Sequence, residues 1–283
     1  MRRVAGFLRL VRPVNGLMMG FAVIVGASLV LAEPVTFELR VSLILGFVSG
    51  FTLMAASMAV NDYYDLEIDR VNEPGRPLPE GVVKPREALV LAALLTLVGL
   101  AAAVCTSLYC LGLATVAWVV AVSYNTLGKR TGLPGNFLVG ACMAIPFLYG
   151  SIVVKNWLDN TALLFAAMAF LSGTGREVAK GIVDVEGDRS RGIRTVAISQ
   201  GERAAAILAS FFFLSAVLLS SLPVLLNLVR FWYVPFVVVT DLGFLASSVL
   251  LVRDPSRENA KRIKNLALVW MTLAMVSFFA GTL

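Results

Sequence analysis

The sequence predicts an all-α, polytopic membrane protein, a single membrane-embedded domain over residues 1–283, and three observations predict it. Of 283 residues, 58% are apolar and only 15% charged, with mean hydropathy +0.84, whereas soluble domains carry about 25% charged residues. Nine apolar stretches recur along the chain, each near the ~20 residues that cross a hydrocarbon core. The basic residues also sort by connection, with 21 of the 24 Lys and Arg falling on one side.

The first stretch, 14–32, follows Arg2, Arg3 and Arg9 in the manner of a secretory leader. It is too long for a leader's apolar region and is read as a span. The second, 37–60, carries Gly46 and Gly50 as G-x-x-x-G, a helix-packing pattern. The stretches 88–106, 109–126 and 136–154 hold Cys105, Cys110 and Cys142. These cysteines lack metal-ligand spacing and read as packed free thiols. The stretches 161–180, 204–225, 231–252 and 265–283 complete the set. Asp241, inside the eighth, reads as a packed, hydrogen-bonded carboxyl, although an intramembrane acid is also a functional candidate.

Only Arg40, Lys155 and Arg230 lie on the poorer side. The positive-inside rule therefore predicts a cytoplasmic N-terminus, four long cytoplasmic loops and an outer C-terminus. A net charge of +6 does not point to nucleic acid, because the cations are spread by membrane side and not gathered in one patch. The chain has no histidine, which excludes a Ser-His-Asp triad, His-ligated metal and an imidazole base.

Twelve of the 18 acids lie in two segments on the predicted cytoplasmic side, after the second and the sixth stretch. Asp65 to Arg70 and Asp184 to Arg189 share the pattern D-x-E-x-D-R, 119 residues apart. The equal placement predicts a four-helix block used twice, roughly 10–130 and 131–260, with a ninth helix at 265–283. On a helix, residues four apart share a face. Asn61, Asp65 and Asp69 then form one stripe with Asp62 beside it, and Arg176, Lys180, Asp184 and Asp188 form another. Oxygen ligands without His or Cys suit Mg²⁺, which takes carboxylates, water and substrate phosphate oxygens. Two facing stripes would hold a pair of Mg²⁺ ions with a diphosphate between them.

Arg70, Arg76, Lys180, Arg189, Arg191 and Arg194 flank the acids, and Lys129-Arg130 lies in the intervening loop. Such cations stabilise charge on phosphate oxygens. The plainer alternative is a set of helix-end salt bridges worth a few tenths of a kcal/mol each. The run from Asn72 to Pro79 has prolines at 74, 77 and 79, so it reads as a loop, either a cap over the cavity or a plain linker.

At these residues the chain resembles the UbiA family of intramembrane prenyltransferases. The family's N-D-x-x-D-x-x-x-D is similar to Asn61 through Asp69, and the run after it to Arg70 through Pro77. The second motif, D-x-x-x-D, resembles Asp184 to Asp188 within a stretch beginning at Arg176. Tyr124 with Lys129 resembles a Tyr–Lys pair between the motifs, and Arg12-Pro13-x-Asn15 resembles the start of family members. The resemblance covers nearly the whole chain. It implies a nine-helix bundle binding a polyprenyl diphosphate through Mg²⁺, with the tail in a lipid-open tunnel. It further implies metal ligation by Asn61, Asp62, Asp65, Asp69, Asp184 and Asp188, catalysis by the four motif aspartates with Lys129, and substrate binding by Asn61, Arg70, Arg76, Tyr124, Arg176, Lys180, Arg189 and Arg194.

Within the family, the phrasing around Asp65 and Asp184 is most similar to members that move a geranylgeranyl group from its diphosphate to geranylgeranylglyceryl phosphate. A phosphate-bearing acceptor suits the cations Lys129, Arg130 and Arg194; a carboxylate acceptor, as in aromatic prenyltransferases acting on 4-hydroxybenzoate, suits them too. Prenylation of a chlorophyll or haem side chain is a third reading. A secondary transporter is the non-enzyme alternative. Against it, the clustered acids sit at the membrane boundary and not the midplane, and a four-helix repeat gives parallel copies where many transporters are inverted.

Overall fold

Arg12 and Pro13 decide how the chain enters the bundle. Helix α1 (Arg2–Val11) stops there because Pro13 offers no N–H and disfavours an α conformation at the residue before it. Arg12 takes a left-handed backbone with φ 47° and ψ 70°, and α2 (Pro13–Ser28) leaves at a 40° bend. The computed structural model describes residues 2–189 and 192–283, and every regular element among them is helical. Arg191 lies outside the described residues.

Thr36 caps α3 (Phe37–Tyr64) by accepting from the Leu39 N–H at 3.2 Å, and α4 (Leu66–Asn72) follows after one residue. Helices α5 (Pro85–Thr106) and α6 (Leu108–Thr126) meet at Ser107, whose hydroxyl accepts from the Cys110 N–H at 3.1 Å. Next come α7 (Leu133–Lys155), α8 (Asn160–Val183), the short α9 (Val185–Arg189) and α10 (Val196–Gln200). The chain closes with α11 (Glu202–Ser220), α12 (Leu222–Leu225), α13 (Tyr233–Arg253) and α14 (Arg257–Ala280).

Among the described residues, eight helices are long and apolar enough to cross a membrane alone, and the bent pair α1–α2 brings the number to nine. The protein is therefore multi-pass. Two boundaries differ from the sequence expectation. The first span ends at Ser28 and not residue 32, since Pro34 and the Thr36 cap break the apolar run. The ninth begins at Arg257, well before 265: the Ser256 hydroxyl caps it from the Asn259 N–H, and charged residues with good helix propensity extend it. Hydropathy finds the apolar part of a helix, not its charged first turns.

Helices adjacent in the chain pack on one another from α2 and α3 through α5, α6, α7, α8, α11 and α13 to α14, and α14 returns to α2. The ring surrounds a cavity. Large apolar side chains such as Leu94, Leu97, Phe211 and Leu218 project outward, as lipid-facing residues do. Gly46 and Gly50 sit where α3 meets Val23 and the Met19 carbonyl of α2, the packing role their spacing predicts. Cys110 is buried and Cys142 half-buried, but Cys105 is exposed. It departs from the packed reading because it lies on the outward face of α5 beside the exposed Val104, with Ala102 and Ala103 on the buried face.

The tightest crossing is α2 on α7, where a Cβ on Gly26 would fall on the backbone of Phe147 and one on Gly150 on that of Val23 and Ala27. Backbone cannot yield as a side chain tip does. Gly150→Val is expected to cost about 1–3 kcal/mol, read as a lower midpoint of thermal unfolding in detergent. An unchanged midpoint would contradict this packing.

The two acidic segments share one local geometry. Asp65 follows α3 with φ −90° and ψ 1° and starts α4; Asp184 follows α8 with φ −99° and ψ 8° and starts α9. In both, the backbone hydrogen bonds run on through the junction, Asp69 to Asp65 at 2.8 Å and Asp188 to Asp184 at 2.8 Å. This sparsely populated bridge conformation is one where active-site residues often sit.

Candidate active site

The cavity inside the ring has a volume of about 1240 Å³. At one end, Asn61, Asp65 and Asp69 line it from α3 and α4, and Lys180, Asp184 and Asp188 from α8 and α9. Towards the other end the lining turns apolar, with Met54, Phe147, Met168, Met275 and Phe278. The helical spacing thus brings both acidic stripes to one cavity mouth. Asp241 also lines the cavity and accepts from the Ser220 hydroxyl at 2.7 Å, the hydrogen-bonded state its sequence context predicts.

On the α3 side each acid has a cation. Lys129 donates to Asp65 Oδ2 at 2.7 Å, and Asn61 donates to the same oxygen at 2.9 Å. The Lys129 ammonium also lies 5.8 Å from the centre of the Tyr124 ring, near enough for a cation–π contact. Arg76 donates to Asp69 Oδ2 at 2.6 Å. Arg12 donates to Asp62 Oδ1 at 2.6 Å, with Arg76 3.7 Å away.

Burial acts on these groups against their partners. Desolvation raises the Asp69 carboxyl above its ordinary value even though Arg76 pulls the other way. Desolvation lowers Lys129 below its ordinary value, partly opposed by Asp65. Arg76 is the reverse case: burial lowers it, but Asp69 and Asp62 together leave it raised, so it keeps its charge.

On the α8 side, Arg176 donates to Glu177 Oε1 at 2.6 Å and Lys180 to Oε2 at 3.3 Å. Glu177 is buried, and among the described residues the Arg176 Nε is buried with no hydrogen-bond partner.

Not every residue that the sequence singled out reaches the cavity. Arg70 is exposed and paired with Glu67 at 2.8 Å, and Arg189, Arg194 and Arg130 are exposed and off the cavity wall. Asp62 is 2% exposed, is not on the wall, and faces Arg12. Among the described residues, no three acids converge closely enough to hold a cation by themselves.

The loop after α4 meets the cap expectation in part. Glu73 and Arg76 line the cavity, while Arg9 donates to the Gly75 carbonyl at 2.5 Å and Arg2 to Glu80 at 2.6 Å. The amphipathic α1 therefore straps this loop.

Sequence reasoning left several charged cavity residues out of the site, among them Glu177 and, on α14, Arg257, Lys261 and Lys264. The last three recur at four- and three-residue steps, continued by Leu268 and Met271, which is a helical stripe that could have been read. Arg12 was noted but not placed in the site; its signal was a lone cation before a proline.

The UbiA prenyltransferase family model matches residues 19–276. The chain belongs to the UbiA prenyltransferase family. As a UbiA prenyltransferase it is an enzyme. It is 39% identical, over 96% of this chain and 93% of the relative, to the digeranylgeranylglyceryl phosphate synthase of Archaeoglobus fulgidus. It is 35% identical to that of Pyrococcus furiosus, over 99% and 98%. A solved structure described for digeranylgeranylglyceryl phosphate synthase superposes with TM-score 0.79 at 28% identity, covering 100% and 99% of the two chains. A UbiA homologue from Archaeoglobus fulgidus bound to GPP and Mg²⁺ has TM-score 0.70 at 18% identity, over 96% and 99%, and shares the UbiA fold.

Proposed function

We propose that this prenyltransferase moves the geranylgeranyl group of geranylgeranyl diphosphate to the free hydroxyl of geranylgeranylglyceryl phosphate, giving digeranylgeranylglyceryl phosphate. The observation that carries the reading is one cavity with both aspartate junctions and their cations at its mouth and an apolar far end. Relatives 35–39% identical over nearly the whole chain carry the name of that synthase, which supports this acceptor over 4-hydroxybenzoate.

Mg²⁺ fits the residues present. The donors at the mouth are carboxylate and amide oxygens without His or Cys, the set that Mg²⁺ takes together with phosphate oxygens. Asn61, Asp65, Asp69, Asp184 and Asp188 would hold two ions; Asp62, turned to Arg12 and Arg76, is left out of that set. Bound there, Mg²⁺ would neutralise charge developing on the departing diphosphate.

The chain's own residues supply the rest. Lys129, Arg76 and Lys180, fixed by ion pairs, meet the charge that appears as the allylic C–O bond breaks and the diphosphate leaves with the bonding electrons. The acceptor oxygen then bonds to the allylic carbon and gives up its proton to the released diphosphate. The apolar end holds the tail and keeps water from the cation.

We further infer two four-helix blocks, roughly 10–130 and 131–260, from the matched junctions at Asp65 and Asp184. The one-sided distribution of Lys and Arg supports a cytoplasmic N-terminus and active site in a cell membrane.

Purified enzyme with both substrates is expected to make the diether product with Mg²⁺ and none after chelation, with activity restored by added Mg²⁺. Product at an undiminished rate in chelator would overturn the metal assignment. Uptake into sealed vesicles without covalent product would overturn the whole reading.

A further inference from the structure

The two walls of the cavity carry charge differently. On the wall of α3 and α4, Asp69 is matched by Arg76 and Asp65 by Lys129, and behind it Asp62 is matched by Arg12. On α8 and α14 themselves the cavity lining is mainly cationic: Arg176, Lys180, Arg257, Lys261 and Lys264 stand beside Glu177 and Glu258, with Asp184 following at the end of α8. Arg176 and Lys180 share the carboxylate of Glu177, and among the described residues the Arg176 Nε is buried without a hydrogen-bond partner. Lys261 and Lys264 also line the cavity, and among the described residues neither forms an ion pair at the distances seen elsewhere in the site. Lys261 is exposed and Lys264 half-buried, and a half-buried cation without a close ion pair is costly in a low-dielectric cavity. A second anion, apart from the one held at the aspartates, would relieve that cost.

The shape of the wall says what bears the anion. One face of α14 presents Arg257, Lys261, Lys264, Leu268, Met271 and Met275 to the cavity, at spacings that keep them in line. α8 runs the other way beside it, with Lys180 and Arg176 at the charged end and Ser172 and Met168 beyond. Both helices therefore read cationic and then apolar from the mouth inward. That is the profile of a lipid with an anionic head and a hydrocarbon tail. The volume of about 1240 Å³ exceeds the roughly 300–1,000 Å³ of a site for one drug-sized ligand.

We propose that Arg176, Lys261 and Lys264 form the subsite for the phosphomonoester of the acceptor lipid. Its tail follows α14 towards Met271 and Met275, away from the aspartate mouth. Glu177 acts as a positioning residue by holding the Arg176 guanidinium. The assignment rests on the transferase reading above. It goes beyond it by giving the acceptor phosphate its own cations on α8 and α14, beside the diphosphate site, and by making that phosphate the group that is selected.

The test is steady-state kinetics of Lys264→Gln and of the Lys261→Gln/Lys264→Gln double variant, varying each substrate in turn. Each lost charge-assisted hydrogen bond is expected to raise KM for geranylgeranylglyceryl phosphate by about tenfold or more, with KM for geranylgeranyl diphosphate within about twofold of wild type. The preference over phosphate-free geranylgeranylglycerol should fall by the same factor, and Lys264→Arg should restore it. Glycerol phosphate without a tail, as competitor, separates head from tail recognition: inhibition of wild type that is lost in Lys264→Gln supports the subsite. A parallel rise in KM for the diphosphate, or an unchanged preference for the phosphorylated acceptor, overturns it. Should wild type make no product from geranylgeranylglyceryl phosphate, the transferase reading fails separately. Equilibrium binding of that lipid to wild type and Lys264→Gln then decides the subsite: equal binding overturns it and weaker binding to the variant supports it.

Discussion

Asp65→Asn and Asp184→Asn are each expected to slow prenyl transfer by about 10²–10³-fold, the scale of losing one preorganised electrostatic group from an active site. Both residues sit at a helix–helix junction on the cavity wall. Asparagine is isosteric with aspartate, so the junction backbone keeps its conformation and only the negative charge goes. At position 65 that charge also holds the Lys129 ammonium at 2.7 Å, so on the proposed reading the substitution would both weaken metal binding and free a cation meant for the diphosphate. The two losses should be of similar size, because the junctions share backbone angles and the same end of one cavity. Initial rates measured beside thermal unfolding check this. A variant with near wild-type rate would remove its aspartate from the site, and a variant unfolded at the assay temperature would make the role structural.

Asp62 gives the second large effect, on stability. It is 2% exposed, and its Oδ1 lies 2.6 Å from Arg12 and 3.7 Å from Arg76. Removing one partner of a buried ion pair leaves the others uncompensated and costs about 3–5 kcal/mol. The two guanidinium side chains stay about a third exposed, so Asp62→Ala is expected near the low end, about 3 kcal/mol. Combining Asp62→Leu with Arg12→Met should recover part of the loss, because apolar groups of similar volume replace a buried pair at little cost. Thermal unfolding of the single and double variants separates this from a catalytic effect. No loss on Asp62→Ala would return Asp62 to the role of a metal ligand.

The span pattern was readable because membrane helices announce themselves by length and apolarity, and the acidic stripes because helical spacing puts Asn61, Asp65 and Asp69 on one face. What lay beyond the sequence was direction. Asp62 sits one residue from the stripe and turns to Arg12, a partner fifty positions earlier in the chain that only the helix break at Pro13 brings into reach. Arg70, Arg189 and Arg194 neighbour the acids in sequence, but Arg70 and Arg189 are exposed on the short helices α4 and α9, and Arg194 is exposed in the loop before α10. Lys261 and Lys264 were hidden by a boundary error: placing the last helix at 265 left them in a loop, although its capped start at Ser256 puts them on the cavity wall. Charge spacing reports which residues share a face; the packing of another helix decides what that face meets.

The most direct test of the account is an acceptor competition with purified enzyme, Mg²⁺ and radiolabelled geranylgeranyl diphosphate. Geranylgeranylglyceryl phosphate and 4-hydroxybenzoate are supplied together at equal concentration, and the labelled products are identified by mass. The account predicts label in digeranylgeranylglyceryl phosphate; label in prenylated 4-hydroxybenzoate alone would contradict it.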